Sequence, residues 1–123
     1  WRKDMATNKR INDICKKWLE VFKKDGVMLY ELEDKDFGND FYAQEFDADK
    51  VQVFEERYPG AFHDLEEFKK VVGEIDDISF LGDAIYSKWR YVTHWETETN
   101  LLTEKNHDWL VLALSQLENL TRE

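Results

Sequence analysis

Polar side chains that can bind or react recur at helical spacing within residues 77–95. At about 100° per residue, one side of a helix would carry an acid, a phenol, a hydroxyl, a guanidinium and an imidazole, namely Asp83, Tyr86, Ser87, Arg90 and His94. Tyr86, Arg90 and His94 follow one another at i, i+4 spacing, so neighbouring side chains can touch. Arginine can hold an anionic group through two parallel hydrogen bonds. Histidine titrates near neutral pH and can act as an acid or a base.

Three interpretations of this polar face are open at the level of sequence. It can be a solvated surface. It can be a structural network in which Arg90 braces another helix through carboxylates or helix C-terminal carbonyls. It can also be a ligand-binding, partner-binding or catalytic site, and only this third interpretation needs a cleft. We therefore treat the five residues as candidate ligand- or partner-binding residues and name no catalytic residue.

A second candidate surface is the acidic segment 31–49, which holds eight acids and one lysine. Its spacing from Asp34 to Glu45 resembles a twelve-residue calcium loop. The resemblance fails at Gly38, where a ligand is required, and at Asn39, where the sharp turn needs glycine. Rather than a calcium site, we predict either an acidic solvated loop or an acidic patch for a partner. The patch would be formed by Glu31, Glu33, Asp34, Asp36, Asp40 and Glu45.

Metal and nucleophile chemistry has little support elsewhere in the chain. The three histidines show no zinc-ligand spacing, and Glu104 with His107 forms one Glu-x-x-His where a di-iron bundle needs two. Cys15 lies on an apolar helical stripe and is predicted to be a buried, inert thiol. We predict no metal site and no cofactor.

Composition limits the classes of partner. The net charge of −10 disfavours direct nucleic-acid binding and an anionic membrane surface, because both need a basic face. A protein with a basic surface is compatible, although acidic character can also serve solubility alone. Residues 1–25 hold eight Lys or Arg against four acids, so the other 98 residues carry −14. This asymmetry can mark two different contact surfaces, or it can mean only that the first helix lies against acidic neighbours.

The cellular setting predicted from the sequence is the cytoplasm. A single cysteine cannot form an intramolecular disulfide, and no apolar run reaches the roughly 18 to 20 residues of a membrane span. No signal-peptide pattern is present. The first residue is Trp1 rather than Met, which leaves room for a native N-terminal segment before it.

Apolar periodicity and capping residues predict a single helical domain over residues 1–123. We expect helices at about 7–25, 47–58, 64–75, 77–95 and 103–120, capped by Asp47, Asp64, Asp76 or Asp77, and Thr103 or Asn106, with Gly26 ending the first. The last helix is apolar over most of its circumference, so we expect it to be central, packed on the helix before it. The predicted fold is all-α, an irregular bundle of about five helices. A short β-hairpin at residues 27–46 is the alternative, and it would make the fold α+β.

The sequence thus favours a small acidic interaction protein that acts by binding another protein over an enzyme, and leaves enzymatic activity undecided. A sharper form is an inhibitor that occupies a basic groove with its carboxylates. The alternative is a small-molecule-binding or catalytic domain built around Arg90 and His94. The oligomeric state is not predicted.

Overall fold

The computed structural model describes residues 2–24, 27–28, 31, 36–42, 51–95 and 102–122. These residues form six α-helices and no strand, so the predicted all-α class is confirmed. The helices are α1 (Arg2–Phe22), α2 (Phe37–Tyr42), α3 (Val51–Arg57), α4 (Leu65–Val71), α5 (Ile78–Trp95) and α6 (Glu104–Thr121), and a 3-10 turn spans Val72–Glu74.

The hairpin alternative for residues 27–46 is not adopted in the described part of that segment. Phe37–Tyr42 is helical instead. Phe37 and Phe41 lie four residues apart and are both buried, with their ring centroids 4.9 Å apart. The edge of Trp18 in α1 packs on Phe37 at 4.8 Å between centroids. Burial of two aromatic rings on one face of a short helix therefore decides the local structure here.

Helix α1 is longer at its start, and shorter at its end, than the predicted 7–25. It begins at Arg2, and Met5 and Ala6 are strong helix formers that extend it before Thr7. It ends at Phe22, where the N–H groups of the next two residues bond to carbonyls three residues earlier, both at 3.3 Å. Such tightening satisfies carbonyls at a helix end.

The predicted N-caps that fall on described residues are present. The Asp64 carboxylate accepts hydrogen bonds from the N–H groups two and three residues later, at 2.9 and 3.4 Å. Asp77 and Thr103 each accept one from the N–H three residues later, at 3.0 and 3.3 Å. Asp47 and Gly26 lie outside the described residues. The caps fix where α4, α5 and α6 begin, because each satisfies backbone donors that the helix itself leaves unpaired.

The core is organised around α6, as its all-round apolar pattern predicts. Its most extensive contact is with α1, and it also packs on α5 and α4. The predicted pairing of the last two helices is thus present, but the first helix contributes more to the core than expected. The fully buried residues of α6 are Trp109, Leu110, Ala113, Leu114 and Leu117.

A buried polar network joins α1 to the end of α6. The Asn12 side-chain amide donates to the Glu118 carbonyl at 2.9 Å and to the Thr121 hydroxyl at 3.2 Å. Glu118 also pairs with Arg122 at 2.5 Å. The hydrogen bond from Arg122 is the main reason that the pKa of Glu118 lies below its usual value, against the opposing effect of burial. The network fixes the register of the two helices, since a slip would leave buried polar groups unpaired.

Candidate functional site

The five candidate residues of α5 lie on its outer side. Arg90 and His94 are exposed, whereas Asp83, Tyr86 and Ser87 are half-buried. The helix therefore brings them to one face, as the spacing predicts. Neither Arg90 nor His94 is among the residues that line the pocket beside His63, which is described below.

Within this face, Arg90 lies at the end of a stack of rings. Its guanidinium carbon is 6.0 Å from the centre of the Tyr86 ring. Tyr86 in turn stacks on Trp89, with centroids 5.9 Å apart and planes inclined by 27°. Helix α2 packs closely on the same indole: a Cβ added to Gly38 would lie only 2.5 Å from an atom of the six-membered ring of Trp89. The Trp89 indole thus contacts both Gly38 of α2 and the Tyr86 ring, on which Arg90 lies.

The most completely buried cation lies on the opposite side of the same helix. Lys88 is 1% exposed. Its ammonium donates a hydrogen bond to the Phe62 carbonyl oxygen. It also lies over three aromatic rings, at 4.2 Å from the centre of Phe62, 4.7 Å from Trp109 and 5.7 Å from Tyr91. Aromatic faces attract a cation, and the attraction is larger where water is excluded.

Sequence reasoning missed Lys88, although a signal was present. At 100° per residue, Lys88 projects about 20° from Leu81, between that residue and the apolar Ala84 and Tyr91. A lysine inside an apolar arc is either reaching past it to solvent or buried with partners. The sequence does not decide between the two, because the partners come from a loop and a helix far away in the chain.

Lys88 is one of three anchors of the loop between α3 and α4. The Glu55 carboxylate accepts hydrogen bonds from the N–H groups of Gly60 at 2.8 Å and Phe62 at 3.2 Å. The Trp109 indole donates to the Ala61 carbonyl at 2.9 Å. Gly60 has a φ of 81°, which a residue with a side chain adopts only with strain. A tightly held loop thus places the Phe62 ring in the core.

His63 ends this loop and lies beside the buried lysine. Its ring contacts Phe62 and Tyr91, with both centroid distances 4.9 Å. Partial burial lowers the pKa of His63, and the positive charges of Lys88 and Lys105 lower it further, while Glu55 acts in the opposite direction. The imidazole is consequently neutral at neutral pH.

A shallow pocket opens next to His63. It has a volume of about 570 Å³, is widely open to solvent, and is lined by Gly60, His63, Asp64, Leu65, Glu66 and Lys105. This volume is within the range of small-ligand sites. No sequence motif pointed to it, because its walls come from one loop and from the first turns of two helices.

The acidic patch is partly engaged by the chain itself. Asp40 accepts from the Lys17 ammonium at 2.7 Å and from the Trp18 indole at 2.9 Å. Glu31 pairs with Lys24 at 2.7 Å, and only 12% of its side chain is exposed. Asp36 is exposed. Its φ of 62° is a left-handed conformation that aspartate tolerates. The patch residues Glu33, Asp34 and Glu45 lie outside the described residues.

The remaining candidate groups have structural environments. Burial, together with the negative charge of Glu118, raises the pKa of the Cys15 thiol to about 12. The His107 ring is within 2.7 Å of the Phe22 carbonyl oxygen, and so covers the end of α1. In the ranges described, no three His, Cys, Asp or Glu side chains are grouped closely enough to hold a metal ion. The same ranges contain no helix with the length and apolar character needed to cross a membrane.

Comparison with protein-family models, curated proteins and solved structures found no significant match to this chain.

Proposed function

We propose that this protein acts by binding another protein, and that the outer face of α5 carries the interaction. The observation behind the proposal is the stack of Arg90 on Tyr86 on Trp89, with Arg90 exposed. Arginine, tyrosine and tryptophan are the residue types that contribute most binding energy in protein interfaces. Packing of Trp89 against α2 also lowers the entropic cost of using this face, because the indole is held before binding.

The charge of this face suggests what it recognises. Arg90 is exposed and makes no ion pair with the described residues. A carboxylate of a partner can therefore pair with it through two hydrogen bonds. Asp83 and His94 on the same face add a negative and a titratable group, so recognition would be of mixed charge. The alternative proposal is a small-molecule-binding or catalytic site, which requires a cleft lined by Arg90 and His94.

The sharper form of the proposal, an inhibitor that occupies a basic groove, relies on the acidic patch. The net charge of −10 favours it. The ion pairs of Glu31 with Lys24 and of Asp40 with Lys17 reduce the charge that the patch offers. We therefore rank it second to the α5 face. The single buried cysteine and the acidic surface are compatible with action in the cytoplasm, and we include that location in the proposal.

The test is affinity capture from the native cell extract with wild type and three matched variants. Arg90→Glu reverses the charge of the α5 face. Arg57→Glu is the control, because Arg57 is also exposed and also lies over a ring, 4.4 Å from the centre of Phe80, on another helix. Asp36→Lys changes the acidic patch. Circular dichroism of each variant verifies that the fold is retained.

We expect one protein to be retained by wild type and Arg57→Glu and lost with Arg90→Glu. Its binding should weaken as salt is raised, because exposed charge pairs are screened. Loss with Asp36→Lys alone would favour the basic-groove form instead. Identical captured proteins for all four baits would contradict both forms.

A further inference from the structure

The pocket beside His63 is lined by two carboxylates and by two side chains with nitrogen donors, and only the carboxylates have hydrogen-bonding partners within the described residues. Its acids have partners within the chain. Asp64 caps α4 by accepting from two backbone N–H groups, and Glu66 pairs with Lys69 at 3.3 Å. Their negative charge is therefore balanced in part by donors that belong to the fold.

The donors of the pocket are unused. Lys105 is exposed, and neither its ammonium nor the ring nitrogens of His63 form a hydrogen bond or ion pair with the described residues. Lys88 adds a second positive charge behind the Phe62 ring, close enough to oppose protonation of His63. The groups available to a ligand are therefore an ammonium and an imidazole N–H, which need a ligand with acceptor oxygens.

The loop that contributes Gly60 and His63 to the pocket is held by several contacts. Gly60 and Phe62 are held by the Glu55 carboxylate, and Phe62 is held again by Lys88 through its carbonyl. His63 is fixed between the Phe62 and Tyr91 rings. A site that is ordered before binding loses less entropy when a ligand arrives.

We propose that this pocket binds a small anion through carboxylate or phosphate oxygens, held by the Lys105 ammonium and the His63 imidazole. The site is separate from the α5 face and does not depend on the function proposed for it. A bound anion favours the protonated imidazole, against the burial and the neighbouring positive charges that lower the pKa of His63. Binding is therefore coupled to proton uptake by His63, and affinity rises as pH falls below the ordinary histidine value of about 6.5.

The test uses inorganic phosphate and acetate as separate probes, at constant ionic strength. The readout is the NMR shift of the His63 ring and of the backbone amides around the pocket. We expect saturable shifts with phosphate, and an upward move of the His63 pKa when phosphate is present. Saturation with acetate as well would identify carboxylates as ligands, whereas a response to phosphate alone would identify a phosphate-bearing ligand.

Two variants and one control distinguish binding at this pocket from a nonspecific effect of added anions. Lys105→Ala should weaken binding roughly three- to tenfold, the effect of losing one charge-assisted hydrogen bond at a partly exposed site. Lys9→Ala is the control, since Lys9 is an exposed lysine on α1 that likewise has no partner among the described residues. His63→Phe keeps the ring stack and should leave only the pH dependence that comes from ionisation of the probe itself. Shifts that do not saturate, or equal weakening by Lys105→Ala and Lys9→Ala, would overturn the proposal.

Discussion

Replacement of Lys88 by alanine tests whether a cation at the centre of this fold is structural. Lys88 is 1% exposed, and its stem lies among core aromatic rings. Removing about three buried methylene groups costs about 2.4 kcal/mol, at about 0.8 kcal/mol for each. The Phe62 carbonyl would also lose its partner, at a cost of about 1 to 3 kcal/mol. Desolvation of the ammonium, which costs several kcal/mol in the wild type, is relieved at the same time. These polar effects largely offset each other.

We therefore expect Lys88→Ala to lower the free energy of unfolding by about 2 to 4 kcal/mol. Lys88→Met keeps most of the stem and should lose less than half as much. Arg90→Ala, two residues along the same helix, is the matched control. Because Arg90 is exposed and lies only over the Tyr86 ring, its loss should change the free energy of unfolding by about 0.5 kcal/mol or less.

Urea unfolding followed by tryptophan fluorescence and by far-ultraviolet circular dichroism measures all four proteins. Coincident transitions by the two methods would justify two-state free energies. Equal losses for Lys88→Ala and Arg90→Ala would refute burial of the Lys88 side chain. A loss for Lys88→Met as large as that for Lys88→Ala would show that polar contacts, rather than packing of the stem, provide the stabilisation.

Three further predictions concern packing, pH and thiol reactivity. Gly38→Ala should destabilise the protein by about 1 to 3 kcal/mol in thermal unfolding, because the new methyl group would lie 2.5 Å from the Trp89 ring. Gly73→Ala is the control and should be close to neutral, since an added Cβ there has nothing within 4 Å. The hydrogen bond that lowers the folded-state pKa of Glu118 stabilises the protein above pH 4.5, the carboxyl's ordinary value, and this contribution should be lost as pH falls through the folded-state pKa. Acid unfolding of Glu118→Gln should lack that contribution, and an acid limb identical to wild type would contradict the assignment. The Cys15 thiol, buried and with a pKa raised to about 12, should react with a disulfide reagent at pH 8 only after unfolding, and rapid reaction of the native protein would contradict its burial.

The sequence was sufficient for features set by nearby residues. Asp64 and Thr103 were identified as caps because a cap acts on N–H groups two or three residues away. The central place of α6 followed from its own apolar pattern. The first helix was located but not its ends, which depend on weak differences in helix propensity.

From the sequence, the candidate site could be predicted only as a set of residues that share one face of a helix. Helical periodicity placed Arg90 and His94 together on the outside of α5, since this depends on α5 alone. It could not show that Tyr86 stacks on Trp89, or that Gly38 packs on Trp89, because α2 reaches that position only in the folded chain.

The sequence by itself thus determined the mainly helical character, the starts of α4, α5 and α6 and the apolar side of α5, because these follow from interactions within a few residues. Only the tertiary structure decided which cation is buried and where the pocket lies. Lys88 and Arg90 are two positions apart in one helix, yet Lys88 meets Phe62 and Trp109 from distant elements, while Arg90 faces solvent. Burial is a property of what packs against a residue, and that is fixed only when separate segments come together.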